Sequence, residues 1–122
     1  MHELSIAYSL IETASAALRD ADVAKDQQVQ TVHLRLGTLS GVVKSALLYC
    51  FDIAAEGTPL EGARLAIEEL PVMVHCPRCE EDVVLPSVQS FRCPQCDTPT
   101  SQIVQGREME LTSLEVVDGS GK

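Results

Sequence analysis

Between residues 4 and 21 the apolar side chains return three and four positions apart: Leu4, Ala7, Leu10 and Ile11, Ala14, Ala17 and Leu18, Ala21. That period predicts an amphipathic helix starting almost at Met1, with Glu12, Arg19 and Asp20 outside its apolar stripe. The period changes over 28–37, "QVQTVHLRLG", where Val32, Leu34 and Leu36 alternate with Thr31, His33 and Arg35 before Gly37 closes the run. This alternation is the signature of a half-buried strand. After the turn "TLSG", residues 43–56 read as a second helix, with Leu47, Leu48, Phe51 and Ala55 on one face and Gly57 as its C′ stop. Alternation returns in "ARLAIEEL" (63–70), so a helix joins two strands in a crossover unit. A third strand follows Gly106 in "REMELTSLEVV". Met109 and Leu111 share one parity, Leu114 and Val116 the other, which predicts a β-bulge near Thr112-Ser113.

Residues 71–104 break the pattern. Pro71 ends the second strand, and the stretch that follows is rich in cysteine and proline and poor in large apolar groups. The expected class is therefore α+β: a small three-stranded mixed sheet with two helices, plus an inserted cysteine module. Residues 1–70 and 105–117 would form the α/β domain, 71–104 the module, and 118–122 a flexible tail.

Composition narrows the partners. The chain has 122 residues, a formal net charge of −9 and only 3% aromatics. Nucleic-acid backbones are bound by Lys and Arg, so this balance speaks against them. A cation or a basic partner fits better. Lys or Arg does not precede the first apolar stretch, and Glu3 and Glu12 interrupt it, so it does not read as a signal peptide. The most apolar internal run, "VVKSALLYCFDIAA", carries Lys44 and Asp52 and is too short to span a bilayer. A cytoplasmic setting with no membrane is expected. There cysteines stay reduced, and five of them point to metal binding or redox chemistry before disulfides.

"CPRC" and "CPQC" place Cys76, Cys79, Cys93 and Cys96 in a C-x2-C-x13-C-x2-C pattern. Two intervening residues let a tight turn aim both sulfurs at one point, and Pro77 and Pro94 pre-set φ for that turn. Two such knuckles make a tetrahedral tetrathiolate cage, the arrangement of a zinc ribbon. A single iron could occupy the same cage. A redox C-x-x-C pair would need one motif at a strand-to-helix junction, and a matched second pair is unnecessary for that. Four thiolates close the coordination shell, so the zinc would be structural. Cys50, alone in "LLYCFD", reads as a small buried hydrophobe.

His2 poses the other question. The Met1 amine and the His2 amide close a five-membered ring on a metal, the His2 amide and imidazole Nδ1 a six-membered one, and the Glu3 amide is a further donor. Such nitrogen sets favour square-planar Ni²⁺ or Cu²⁺. On spacing alone, a chance histidine on a chain end explains the position as well. His75 adjoins the first knuckle, where it is either a neighbour of the metal site or a ligand that exchanges with it or couples two metals. His33 lies on the polar side of a strand, and Glu68-Glu69 and Glu80-Glu81-Asp82 read as solvated charge runs.

"MHELSI", "LRLGTLSGVVKSALLYCFD", "ARLAIEEL" and "CPRC…FRCPQC", in this order, closely resemble the HypA/HybF family of hydrogenase maturation proteins over residues 1–117. The resemblance implies a nickel metallochaperone that collects Ni²⁺ and, with a partner GTPase of the HypB type, helps insert it into the [NiFe]-hydrogenase large-subunit precursor. It carries over His2 as nickel ligand, Met1 (terminal amine) and Glu3 (backbone) as its neighbours, and Cys76, Cys79, Cys93 and Cys96 as zinc ligands. Some members have an acidic residue after "SG"; here Val42, Val43 and Lys44 follow. With no nucleotide-binding glycine loop in the chain, GTP hydrolysis is assigned to the partner and the protein is read as a non-enzyme. A monomer or weak homodimer is expected. The rival reading is a zinc-stabilised protein–protein scaffold without transferable metal.

Overall fold

The computed structural model describes residues 2–21 and 27–118. Met1, the His2 side chain and residues 119–122 of the expected tail lie outside the described residues. Two helices and six strands follow in the order α1 (His2–Asp20), β1 (Gln27–Gly37), α2 (Lys44–Ala55), β2 (Arg64–Leu70), β3 (Met73–Cys76), β4 (Glu81–Val84), β5 (Ile103–Gln105) and β6 (Met109–Asp118), with a 3-10 turn at Thr38–Ser40. One three-stranded sheet has the order β2-β1-β6 and the other β4-β3-β5. The first is mixed, which with the two helices makes the α+β class expected from the sequence. Along β1 and β6, Gly37 donates to the Glu108 carbonyl and the Thr112 hydroxyl to that of His33, so partner numbers fall as β1 advances and the two run antiparallel.

The chain divides into two compact units, 1–34 with 42–67 and 111–122, and 35–41 with 68–110. In the first, α1 and α2 bury Ala7, Leu10, Ile11, Ala14, Leu47, Cys50 and Phe51 with Val32 and Leu34 of β1. Cys50 is the small core residue expected of it. The stripe of α1 fades toward its end: Ala17 is exposed, and so is Ala21, just past the helix. Thr31, expected on the polar side of β1, is buried instead. α2 stops where predicted: Gly57 takes φ +76°, a conformation that only glycine adopts freely. In β6, Leu111, Leu114 and Val116 pack on this core while Thr112 and Ser113 are both exposed; Met109 is turned out at 45% exposure.

The second unit has a smaller core of Val72, Val74, Val83 and Leu85 with Cys76 and Cys93, and Leu39, Phe91 and Ile103 pack against it. Here glycine is sterically required. A Cβ on Gly37 would lie 2.1 Å from the Gly106 carbonyl oxygen, because Leu39 donates to that oxygen and the two backbones touch.

Candidate metal centre

Antiparallel pairing of β3 with β4 sets the first knuckle. Their register, from Met73 opposite Val84 to Cys76 opposite Glu81, leaves Cys76 at the end of β3 and the tight turn of Pro77–Glu80 beyond it. The Cys79 amide donates to Cys76 Sγ at 3.4 Å and the Glu80 amide to the Cys76 carbonyl at 2.8 Å. The second knuckle repeats the second bond, from the Asp97 amide to the Cys93 carbonyl at 2.8 Å. Thr100 ties the two halves, its hydroxyl donating to the His75 carbonyl at 2.6 Å and its amide to Phe91 at 2.9 Å.

The result brings all four sulfurs within 4.8 Å of one another, and Cys76–Cys79–Cys93–Cys96 is the cluster able to hold a metal among the described residues. Sγ–Sγ separations are 3.6 Å (Cys76–Cys96), 3.9 Å (Cys79–Cys93) and 3.5 Å (Cys79–Cys96). Four thiolates at the ordinary Zn–S length of about 2.3 Å lie roughly 3.8 Å apart at the corners of a tetrahedron. The cage therefore has the size of a tetrahedral thiolate-bound ion's shell. No fifth group is needed to complete it, so it offers no open position for water or substrate.

Proton distribution in the metal-free thiols is uneven. Cys96 lies 3.1 Å from the Thr98 hydroxyl, and this bond together with the Thr98 backbone pulls its pKa down to about 6. Cys79 donates to Cys96, and that bond together with desolvation and its contacts with Cys76 and Cys93 holds it up at about 12. A metal entering near neutral pH meets a thiolate at Cys96 and must displace the proton from Cys79.

The other sequence candidates fall elsewhere. His75 Nδ1 is 2.9 Å from Asp82 Oδ1, its cross-strand partner in β3–β4. His33 Nε2 pairs with Glu115 Oε1 at 3.5 Å on the exposed side of β1 and β6. Both imidazoles have carboxylate partners, and neither belongs to the sulfur cluster. Glu3 is the residue whose side chain sequence reasoning missed. It is buried, at 9% exposure, and its carboxylate accepts the Val43 amide at 3.0 Å from 40 positions along the chain. An acidic residue in the first turn of a helix is the only local signal, and it says nothing of a partner so remote.

Among the described residues, no helix is long and apolar enough to cross a membrane. The model of the family described as "Hydrogenase/urease nickel incorporation, metallochaperone, hypA" matches residues 1–116. A hydrogenase maturation factor HypA of Roseiflexus sp. (strain RS-1) is 58% identical over 118 residues, covering 97% of this chain and 94% of that protein. One from Chloroflexus aurantiacus (strain ATCC 29366 / DSM 635 / J-10-fl) is 55% identical over 115 residues, covering 94% and 98%. Among solved structures, a HypA protein in solution superposes with a TM-score of 0.68 at 26% identity, covering 97% of this chain and 98% of that one. The Helicobacter pylori nickel metallochaperone HypA shares the fold, with a TM-score of 0.55 at 24% identity over 88% of this chain and 94% of that one. Matched along nearly its whole length, with the four-cysteine cage in place, this chain belongs to the HypA family of nickel-incorporation metallochaperones.

Proposed function

We propose that this protein binds Ni²⁺ at its amino terminus, through the Met1 amine, the His2 amide and imidazole and the Glu3 amide, and delivers it for maturation of [NiFe]-hydrogenase. The observation that carries the reading is family membership over residues 1–116, which includes the "MHE" start. Chemistry supports the assignment. Four thiolates hold a metal too tightly for cargo, whereas a site of amine, amide and imidazole nitrogens can release it when protons compete for the imidazole. A helix start also suits a chelating role. Amides in the first turn of an α-helix have no intrahelical acceptor, so giving one to a metal breaks no helical hydrogen bond.

The four-cysteine cage holds Zn²⁺ in a structural role under this reading, by residues Cys76, Cys79, Cys93 and Cys96. Such an ion orders the knuckles and does no chemistry on a substrate. A HypB-type GTPase supplies nucleotide hydrolysis, and the hydrogenase large-subunit precursor receives the nickel in the cytoplasm. The protein itself catalyses nothing.

Equilibrium dialysis against Ni²⁺ with zinc already bound tests the assignment. The parent should take up nickel and His2→Ala should lose it while keeping its zinc. Equal uptake by both would remove the amino terminus from consideration, and no uptake by the parent would favour the scaffold reading.

A further inference from the structure

The start of α1 does not stand alone. Val43 is the residue before α2 and is extended (φ −83°, ψ 115°), and its own side chain offers no cap to the helix. Helices normally take a Ser, Thr, Asp or Asn at this place, whose oxygen accepts an amide of the first turn. Here the other helix supplies an acceptor to the cap residue's own amide: Glu3 Oε2 takes the Val43 N–H at 3.0 Å. A carboxylate at a helix amino terminus also meets the positive end of the helix dipole, which strengthens the bond. With Glu3 buried and its carboxylate at α2, the first turn of α1 is tied at its second residue to a packed element.

Chelation by a chain end depends on how much freedom that end must lose. Amine, amides and imidazole converge on one ion only when the first turn is held still, and ordering it at the moment of binding lowers affinity. Resting on the amino-terminal nickel site proposed above, we infer that the Glu3 side chain is a positioning residue for that site: by bonding the Val43 amide it fixes the start of α1 at Glu3, without itself being a ligand. The carboxylate thus acts through α2, and only the Glu3 amide faces the nickel chemistry.

Two substitutions separate this from a ligand role. Val43→Pro deletes the donor and puts its ring Cδ where the N–H pointed, so the Glu3 carboxylate must leave the end of α2 while the sequence Met1–Glu3 stays the same. Its φ of −83° accepts proline, and Val43 is 56% exposed, so no core is lost. Glu3→Gln keeps an acceptor oxygen for the amide but removes the carboxylate. Partners that orient metal ligands typically change affinity 10–100-fold. Nickel titration calorimetry of the zinc-loaded protein should show Val43→Pro weakened about 10-fold, at the low end of that range. The nickel absorption spectrum should keep its band positions, because the ligands are unchanged. Glu3→Gln should stay within about 3-fold of the parent, below that range. Parent-like affinity in Val43→Pro would overturn the tether. So would a loss in Glu3→Gln as large as in His2→Ala, with shifted bands, which would make the carboxylate a ligand. If instead His2→Ala keeps nickel, the site reading itself fails, and that result is distinct from both.

Discussion

The two units of this chain are held together by different means. The first buries Phe51, Leu34, Leu47, Leu60 and Val32 almost completely, a core of aliphatic and aromatic side chains. The second has six buried core residues, and two of them, Cys76 and Cys93, are cysteines of the four-sulfur cluster. Apolar packing suffices where helices can lay broad faces on a sheet. It does not where three strands of three or four residues must carry the fold. On the reading proposed above, an ion that completes a core has to stay, and an ion meant to leave is bound where the fold does not need it.

Removing metal from the cage is the strongest test of that contrast. Structural zinc contributes on the order of 10–16 kcal/mol to small metal-dependent folds near neutral pH. A strong chelator, or Cys76→Ser, should therefore abolish hydrogen-exchange protection of the Val74 and His75 amides in the second unit. Helical circular dichroism from α1 and α2 should survive, because none of the cage residues belongs to the first unit's core. If the helices melted together with the cysteine unit, the two would be one cooperative body and the comparison would fail.

The reciprocal change is smaller. Phe51 is 1% exposed in the first core, and Phe→Ala at such positions costs about 3–5 kcal/mol. Phe51→Ala should destabilise the helical unit by that amount in chemical denaturation while zinc content stays at one ion per chain. Loss of zinc in step with the helices would show that the cage leans on the first core.

Most of this architecture can be read along the chain, and the exceptions share a cause. Both helices and the strands β1, β2 and β6 are long enough to display a period, and their limits fall within a few residues of expectation. The cysteine spacing names its own cage, since two tight turns converge wherever the chain between them runs. Strands β3, β4 and β5 are too short to show alternation, so the unit 71–104 looked poorer in structure and core than it is. Thr31 is buried and Met109 exposed because strand neighbours, not side-chain polarity, decide which positions are covered. The bond from Val43 to Glu3 and the pairing of His75 with Asp82 were beyond reach, being contacts that only the folded chain assembles.

The least expected feature of the knuckles offers the finest test. Glu80 and Asp97 each follow the second cysteine of a pair, at φ 56° and 62°. Both donate their amide to the carbonyl of the first cysteine, so the left-handed turn closes each loop. That conformation costs a residue with a Cβ roughly 1–2 kcal/mol, less for Asp, whose short side chain tolerates it. Glycine removes the strain but adds about 0.4–1 kcal/mol of freedom to the unfolded chain. For Glu80→Gly the strain relief exceeds that cost, and the zinc-loaded protein should gain about 0.5–1 kcal/mol in chemical denaturation. Asp97 has less strain to lose and gives up its carboxylate, 3.7 Å from Arg92 Nη1, while the bond from that Nη1 to the residue-97 carbonyl at 3.2 Å is kept. Asp97→Gly should accordingly fall within about 0.5 kcal/mol of the parent, as exposed substitutions usually do. A larger gain at Asp97 than at Glu80 would mean that the strain is not set by side-chain chemistry, and the two knuckles would have to be held by the metal alone.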